Sequence, residues 1–501
     1  MSAVIKRQSE VNPNQVNFKK NINPLLKRLF ISRELYDDEE IDLSINSLLE
    51  PTKMKGIDEA VSELISALKK GSRILIVGDF DVDGATSCAL AIRSLKAMGH
   101  DNIQFIVPNR FEYGYGLTPE IVEIAAKQNP DLIITVDNGI ASIDGVKAAR
   151  ELGIRVIITD HHLPGKELPE ANAILNPNQK GCNFPSKSLA GVGVVFYLML
   201  ALRSSLRKIG WFSDELEEPN MAKFLDLVAL GTIADVVPLD KNNRILVEQG
   251  IRRIRIGDCC VGIKALIELS KRSSMNLVSS DIGFAIAPRL NAAGRLDDIS
   301  IGIGCLLTDD IDLARGLANE LDTINLERRQ IEDDMKKQAE KILQELEKNA
   351  SSDLPTGICL FDPSWHQGVV GILASRIKEK YHRPVICFAL ANDAEDCDEL
   401  KGSARSIKGF HIRDALDQVA TKNEGLVKKF GGHSMAAGLS LKLGSFDKFA
   451  EAFDSVVKEV LNEDDLKHLI YSDGELRQDE LNITNAKLIK FAMPWGQGFP
   501  E

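Results

Sequence analysis

Three aspartates, spaced two residues apart, follow a short apolar run in the first fifth of the sequence. The segment ILIVGDFDVDGATS covers residues 74–87 and carries Asp79, Asp81 and Asp83. Carboxylates this close repel one another, so they cannot all stay ionised in one pocket unless cations compensate for their charge. Taken alone, the spacing also fits an acidic turn or a calcium-binding loop, although calcium loops do not directly follow a strand and precede a long apolar helix.

Two further segments place metal-ligating side chains directly after apolar runs. Asp137 ends the run DLIITVD, and the run IRVIITDHH ends in Asp160, His161 and His162. Ligands of open parallel sheets bind at the carboxyl ends of the strands, so we expect these groups to meet at one sheet edge. Carboxylate oxygens combined with imidazole suit Mn²⁺ or Mg²⁺. The sequence therefore predicts a two-ion centre, which is a site type that supports phosphoester hydrolysis.

Apolar runs alternate with helical stretches from residue 57 onward, and these elements would position the acids and histidines. Continuously apolar strands that alternate with helices predict a parallel sheet with helices on both faces. Residues 187–350 have a mostly helical pattern. The stretch from Asp309 to Asn349 has no proline and no glycine after Gly316, which predicts one helix of ~60 Å. A helix this long and this charged is typical of a connection between two domains.

A second, smaller α/β unit follows this helix, with strand candidates TGICLF, PVICFAL and GLSLKL. The length of 501 residues allows two to four domains. Neither a bilayer-length apolar segment nor a secretory h-region is found, so a cytoplasmic protein is expected. The eight cysteines form no C-x-x-C pair and are expected to be small buried hydrophobes. The net charge of −12 argues only weakly against nucleic acid, because bound cations would cancel part of it.

Several longer motifs resemble the DHH phosphoesterase superfamily, and specifically its RecJ branch. In chain order they are DFDVDG, PNRFEYGYG, VDNG, DHH, GVGVVF, GTIADVVPL and PRLNAAGR. The later segments WHQGVVGILASR, GSARS and GGHSMAAG resemble the DHH-associated second domain of the same proteins. The resemblance runs from about residue 20 to the last residue. It implies a nuclease specific for single-stranded DNA that works 5′ to 3′, releases 5′-mononucleotides and acts in DNA repair and recombination.

The resemblance also implies roles for the acids and histidines. Matching the motifs gives as metal ligands Asp81, Asp83, Asp137, His161 and Asp235, with Asp79 as a further ligand or an outer acid. Asp137 is the expected bridge between two ions, Asp160 is expected to orient an imidazole, and His162 is expected to contact the scissile phosphate. Without the resemblance, Asp235 in GTIADVV would be taken for a helix cap or a surface residue.

Recognition of a 5′-phosphate calls for arginine, whose fork binds phosphate in a bidentate manner. The resemblance points to Ser403 and Arg405, together with Arg289 or Arg295. The full set of predicted contacts to the strand or its 5′-phosphate is Arg110, Tyr113, Arg289, Asn291, Arg295, His366, Ser403, Arg405 and His433. Trp365 and His366 start a segment that could line the path of the strand. The alternatives are surface salt bridges for single arginines, a glycine-rich turn with packed aromatics around Tyr113 and Tyr115, and core packing for Trp365. Two domains joined by a helix also predict a cleft that admits one strand and excludes a duplex.

The expected domain division follows the motifs. It comprises an N-terminal extension (1–50), a catalytic domain (51–308), a connecting helix (309–349), a substrate-binding domain (350–465) and the start of a C-terminal region (466–501). Relatives continue past a segment like PWGQGFPE into an OB-fold that binds single strands, so we expect this domain to be truncated here and processivity to be weakened. The expected partners are single-stranded DNA, a RecQ-type helicase and a single-stranded-DNA-binding protein; a nucleoid-associated monomer is expected.

Two other functions are compatible with parts of this pattern. A related phosphodiesterase of short oligonucleotides or cyclic dinucleotides, or a pyrophosphatase, would share the metal site but would not need PNRFEYGYG, PRLNAAGR or the connecting helix. A non-catalytic scaffold in a replication assembly should have lost metal ligands, and none is lost here.

Overall fold

A computed structural model describes residues 4–7, 16–108, 116–349, 354–392, 394 and 397–501. The chain divides into two compact units. The larger unit contains Glu10–Asn325 and Glu475–Glu501, and the smaller unit contains Met1–Ser9 and Leu326–Gly474.

The strands and helices are numbered along the chain. The strands are β1 (Val4–Arg7), β2 (Ile74–Gly78), β3 (Ile103–Ile106), β4 (Leu132–Val136), β5 (Arg155–Thr159), β6 (Ala173–Leu175), β7 (Ile358–Phe361), β8 (Val385–Leu390), β9 (Glu399–Arg405), β10 (Lys429–Gly432), β11 (Ala436–Lys442) and β12 (Leu469–Ser472). The helices are α1 (Pro24–Ser32), α2 (Ile57–Lys70), α3 (Val82–Ala97), α4 (Pro119–Ala126), α5 (Ile143–Glu151), α6 (Gly191–Lys208), α7 (Leu225–Ala234), α8 (Lys241–Arg255), α9 (Val261–Leu269), α10 (Ser279–Asp281), α11 (Ala287–Leu296), α12 (Ser300–Leu307), α13 (Ile311–Asn349), α14 (Val370–Tyr381), α15 (Ile412–Lys422), α16 (Phe446–Val460) and α17 (Ile483–Ala492).

The larger unit is built on a parallel sheet with the strand order β3-β2-β4-β5-β6. Its central strands β2 and β4 are buried on both faces, so Ile74 and Ile76 of β2 belong to one core cluster and Leu75 and Val77 to another. The predicted parallel sheet is therefore confirmed. Strand order reverses at β2, because the chain passes first to β3 on one side and then to β4 on the other. Such a switch point is where ligands bind in open α/β sheets.

The remainder of the larger unit is mostly helical, as predicted from residue 187 onward. α7 is buried along most of its length, and every residue from Leu225 to Thr232 is buried. The long helix is also confirmed: α13 has 39 residues and a length of about 58 Å at 1.5 Å per residue. The boundary between the two units falls within this helix, after Asn325.

The smaller unit contains a mixed sheet with the order β10-β11-β9-β8-β7, in which β7 and β8 pair in parallel and the other neighbours pair antiparallel. Three of these strands were predicted, and β9 and β10 were missed. The sequence of β9, ELKGSAR, alternates buried with half-buried positions and contains no β-branched residue, so its pattern is weak. β1 and β12 form a separate parallel pair.

Two expectations from composition can be compared with the structure. Within the described part of the chain, no helix combines the length and the hydrophobicity that crossing a bilayer requires. All eight cysteines are free thiols. Cys88, Cys182, Cys305 and Cys387 are buried as expected, whereas Cys259, Cys260, Cys359 and Cys397 are only half-buried.

Two helical glycines differ in the space around them and give a test of the packing between α7 and α8. A Cβ at Gly250 would overlap the carbonyl oxygen of Leu225 and lie 2.5 Å from the Cβ of Ala229. We expect Gly250→Ala to lower the free energy of unfolding by about 1–3 kcal/mol, because the two helices would have to separate. Urea denaturation followed by circular dichroism measures this change.

The matched control is Gly316→Ala in α13. Apart from the backbone of its own helix, no described heavy atom lies within 4 Å of a Cβ at Gly316. Alanine should therefore raise the free energy of unfolding by about 0.5–1 kcal/mol, since it has the higher helix propensity. Equal effects of the two substitutions would contradict the close helix contact at Gly250.

Candidate metal centre

The loop between β2 and α3 concentrates the first three acids. Asp81 is the N-cap of α3, and its Oδ1 accepts a hydrogen bond from the backbone N–H of Gly84 at 3.1 Å. Asp83 lies in the first turn of the same helix. Gly84 has no room for a side chain, because a Cβ there would overlap the carbonyl oxygen of Asp79. The tight turn thus keeps three carboxylates close to the end of β2.

The carboxylate of Asp83 is completely buried and is held by the N-terminus of α6. It accepts hydrogen bonds from the backbone N–H groups of Gly191 (2.6 Å) and Val192 (2.9 Å). The positive end of the helix dipole favours the anion. Burial together with the charges of Asp235 and Asp81 nevertheless raises the pKa of Asp83 well above its usual value. The N-terminus of α6 was not singled out as part of the site; its signal in the sequence is the pair of glycines in GVGVVF.

Asp137 follows β4 directly and adopts φ = 61°, in the left-handed region that non-glycine residues seldom occupy. Strained backbone of this kind is concentrated at functional sites. α6 approaches this residue so closely that a Cβ at Gly191 would lie 2.7 Å from the Cβ of Asp137. Burial, then repulsion by Asp83 and Asp81, raises the pKa of Asp137 well above its usual value.

The two histidines after β5 have different neighbours. The Nε2 of His161 lies 3.1 Å from Asp137 Oδ1, 3.5 Å from Asp235 Oδ2 and 4.0 Å from Asp83 Oδ2. His162 instead places its Nδ1 2.7 Å from Asp160 Oδ1. Burial alone would lower the pKa of His162, but the hydrogen bond and charge of Asp160 outweigh it and raise the pKa to about 9. The imidazole that Asp160 orients is therefore that of His162.

Asp235 reaches the cluster from the C-terminal end of α7, where it is the C-cap residue. Burial and the charge of Asp81 raise its pKa to about 7. The next residue, Val236, has φ = 61°, which is a genuine outlier for a β-branched side chain. A helix rather than a strand precedes Asp235, so the pattern of acids at strand ends did not reveal it. The signal available in the sequence is a mostly apolar helix, LDLVALGTIA, that ends directly before Asp235.

The cluster fits one or more divalent cations. Three sets of donors each have ligand atoms within 4.8 Å of one another, and they are Asp137–His161–His162, Asp83–His161–Asp235 and Asp79–Asp81–Asp137. Asp137 belongs to two of the sets, which is the arrangement expected of a carboxylate between two ions. Burial first, and repulsion among these acids second, raise the pKa values of Asp83 and Asp137, and oxygen donors with imidazole suit Mn²⁺ and Mg²⁺.

The predicted DNA contacts of the larger unit lie on α11, close to this loop. The guanidinium of Arg289 forms an ion pair with Asp322 at 2.8 Å and donates to the carbonyl of Ala285. Asn291 Oδ1 accepts a hydrogen bond from the backbone N–H of Val82 at 3.2 Å. Arg295 follows Gly294, which packs against the loop. Arg289 is therefore engaged in an ion pair, and which of Arg289 and Arg295 binds the 5′-phosphate stays a prediction.

The predicted contacts of the smaller unit were Ser403, Arg405, His366 and His433. Arg405 and Ser403 lie on β9, where the guanidinium donates to Ser403 Oγ at 3.1 Å. His366 accepts at Nδ1 from the N–H of Gly368, and His433 is exposed between β10 and β11.

Of the aromatic residues considered as DNA contacts, the structure describes Trp365 but not Tyr113 or Tyr115. Trp365 is buried and donates from Nε1 to Gln338, which favours the alternative of core packing. Arg110, Tyr113 and Tyr115 lie outside the described residues.

Comparisons with known proteins agree with this geometry. Residues 73–232 match the DHH family, N-terminal domain, and residues 355–459 match the DHHA1 domain. The single-stranded-DNA-specific exonuclease RecJ of Escherichia coli is 54% identical over 479 residues, covering 95% of this chain and 82% of the relative. The protein of the same name from Haemophilus influenzae is 50% identical over 501 residues, covering 100% of this chain and 85% of the relative. This chain belongs to the RecJ family.

Solved RecJ structures contain the metals that the donor set favours. RecJ of Thermus thermophilus in complex with Mn²⁺ has a TM-score of 0.77 at 30% identity, covering 98% of this chain and 69% of that one. The complex of the same protein with Mg²⁺ has a TM-score of 0.71 at 28% identity, covering 97% and 67%. The RecJ fold and the Mn²⁺ or Mg²⁺ cofactor are thus shared with these relatives, while the role of each ligand in this chain stays a prediction.

The repulsion at Asp137 gives a test that does not depend on catalysis. Asp137→Asn removes one negative charge from the buried cluster, so the metal-free variant should melt at the wild-type temperature or above it. The same variant should lose most of the rise in melting temperature that Mn²⁺ gives the wild type, because a central ligand is gone. Differential scanning calorimetry with chelator and with Mn²⁺ measures both effects.

Asp417→Asn, at an exposed position of α15, serves as the control and should keep the full response to Mn²⁺. An Asp137→Asn protein that Mn²⁺ stabilises as strongly as the wild type would show that Asp137 is not a ligand.

Proposed function

We propose that this chain is a metal-dependent exonuclease that hydrolyses single-stranded DNA from its 5′ end to 5′-mononucleotides, in DNA repair and recombination. The observation that carries the proposal is the cluster of buried carboxylates and imidazole at the ends of β2, β4 and β5. Its donors converge around one nitrogen, His161 Nε2, which lies within 3.5 Å of two carboxylates. The chain also keeps half or more of its residues identical to curated exonucleases over nearly its whole length.

The proposed roles of the acids and histidines follow from their positions. Mn²⁺ or Mg²⁺, when bound, would polarise the phosphodiester and make water more acidic. The groups that would hold the ions are Asp79, Asp81, Asp83, Asp137, His161 and Asp235. Although burial opposes it, the hydrogen bond and charge of Asp160 raise the pKa of His162 to about 9, and the imidazolium form can donate a hydrogen bond to a phosphate oxygen as charge develops on it.

The smaller unit supplies a candidate site for the 5′-phosphate. The Arg405 guanidinium donates to two uncharged acceptors, Ser403 Oγ and the carbonyl of Ala404 (2.8 Å), while burial lowers its pKa. The first turn of α14 packs against it, since a Cβ at Gly371 would lie 2.9 Å from Ser403 Oγ and 3.0 Å from Arg405 Nη2. A half-buried cation beside a helix N-terminus is favourable for a phosphate.

Both arginines on α11 are candidates for a contact with DNA. Arg295 directly follows the glycine that packs on the metal-binding loop, and Arg289 lies six residues earlier on the same helix. His366 and His433 are further candidates from the smaller unit. Arg110 and Tyr113 stay candidates on the basis of their motif alone.

The remaining parts of the proposal concern organisation and partners. Residues 51–308 would form the catalytic domain and residues 350–465 the substrate-binding domain, joined by residues 309–349. A substrate of single-stranded DNA fits a place in the cytoplasm at the nucleoid, with a RecQ-type helicase and a single-stranded-DNA-binding protein as candidate partners.

The decisive assay offers end-labelled single-stranded and double-stranded DNA, a short oligonucleotide and a cyclic dinucleotide, with Mn²⁺ and with chelator. We expect mononucleotides from the single strand only, with a 3′ label released last and no reaction in chelator. Preference for the cyclic dinucleotide or the short oligonucleotide would instead favour a small-substrate phosphodiesterase.

The role of Arg405 gives a sharper prediction. On a single strand with a 5′-phosphate, Arg405→Ala should lower kcat/KM about tenfold to a hundredfold, the loss expected for one or two hydrogen bonds to a charged group. On the same strand with a 5′-hydroxyl, the loss should be much smaller. Arg405→Lys should recover only part of the difference, because lysine cannot form the bidentate contact.

Arg413→Ala, an exposed residue of α15, is the matched control and should behave as the wild type on both strands. Equal losses on the two strands would place Arg405 outside the 5′-phosphate site.

A further inference from the structure

Helix α11 touches the metal-binding loop at two backbone positions. Asn291 accepts a hydrogen bond from the N–H of Val82 at 3.2 Å. One turn later, Gly294 lies against Phe80, where a Cβ would overlap the carbonyl oxygen and lie 2.9 Å from the carbonyl carbon. The two contacts lie on either side of Asp81, which is one of the candidate ligands.

The hydrogen bond to Asn291 satisfies the backbone N–H of Val82, for which α3 itself offers no acceptor. Val82 is the first residue of α3, and the first N–H groups of a helix have no partner within the helix. Asp81 caps the N–H of Gly84, and Asn291 accepts from that of Val82, which is fully buried. The orientation of the first turn, and with it the carboxylates of Asp81 and Asp83, therefore depends on a side chain from a distant segment.

Helix α11 is itself held in place from its other side. Arg289 pairs with Asp322 of α13 at 2.8 Å, and both residues belong to the larger unit. A π-helical turn, Ile282–Ile286, leads directly into α11, and Arg289 also donates to the carbonyl of Ala285 within that turn. Helix α11 is thus fixed in place, so its contacts can hold the metal-binding loop in one position.

We propose that Asn291 is a positioning residue for the metal centre: with Gly294, it fixes the loop that carries Asp79, Asp81 and Asp83 in the geometry that binds Mn²⁺ or Mg²⁺. The proposal rests on the proposed metal-dependent function, and it gives Asn291 a role different from direct contact with DNA. Outer groups that orient metal ligands typically contribute tenfold to a hundredfold in metal affinity or activity.

The test compares Asn291→Ala with Asn291→Asp and measures Mn²⁺ affinity without DNA, by electron paramagnetic resonance of free Mn²⁺. Alanine removes the acceptor, so the affinity should fall about tenfold to a hundredfold. Aspartate keeps an acceptor oxygen for the N–H of Val82 and should bind Mn²⁺ as tightly as the wild type or more tightly. The affinity for a 5′-phosphorylated oligonucleotide in chelator should be the same for alanine and wild type.

A contact with DNA phosphate predicts the opposite order. Mn²⁺ affinity would then be unchanged in Asn291→Ala, oligonucleotide binding in chelator would weaken, and Asn291→Asp would be the worse variant because its charge repels phosphate. That result would overturn the proposal. A wild type that binds Mn²⁺ but leaves single-stranded DNA intact would contradict the proposed function and leave the role of Asn291 standing.

Two controls separate positioning from a loss of stability. Asn482→Ala removes a comparable bond, from the N–H of Asn485 (2.9 Å) at the start of α17, and should leave Mn²⁺ affinity unchanged. Gly294→Ala should weaken Mn²⁺ binding at least as much as Asn291→Ala, whereas Gly316→Ala should not. If Gly294→Ala does not fold, as judged by circular dichroism, the comparison of alanine with aspartate at Asn291 decides alone.

Discussion

Repulsion between buried carboxylates is the constraint on which the rest of the larger unit depends. Asp83 and Asp137 are almost inaccessible to water, and the charge of Asp83 helps to raise the pKa of Asp137. An isolated buried charge is so unfavourable that a protein normally excludes it or neutralises it. Here the fold supplies fixed dipoles, the N–H groups of Gly191 and Val192, and leaves the remaining charge for bound cations to balance.

The helices around the sheet are placed to meet this constraint. α6 brings its positive end to Asp83 and packs against Asp137, and α7 ends at Asp235. Both approaches need glycine, because a Cβ at Gly191 or at Gly231 would collide with atoms of the acids or of Thr86. Glycine at these positions loses more conformational entropy on folding than another residue would. In return, backbone N–H groups and carboxylates come within contact distance.

The sequence predicts the parallel sheet and the site residues that follow its strands. Buried parallel strands appear in the sequence as continuous apolar runs, and their carboxyl ends lie at the same edge of the sheet. The positions of Asp79, Asp137 and His161 therefore follow from the pattern of apolar runs alone. Asp235 and Asn291 do not, because each lies on or at the end of a helix whose place is decided by tertiary packing. β9 was missed for a related reason: its alternation of polar and small residues becomes a strand signal only once its neighbours in the sheet are known.

The spread of the ligands along the chain has a consequence during synthesis. Asp79 leaves the ribosome long before Asp235, and the helix that registers its loop comes later still, with Asn291 and Gly294. Domains fold as units once their residues are available, so a nascent chain that stops before residue 294 carries the acids without their arrangement. A fragment that ends before Asn291 lacks the acceptor for the N–H of Val82 and the helix contact at Phe80, so the loop that carries Asp79, Asp81 and Asp83 is held only by its own turn.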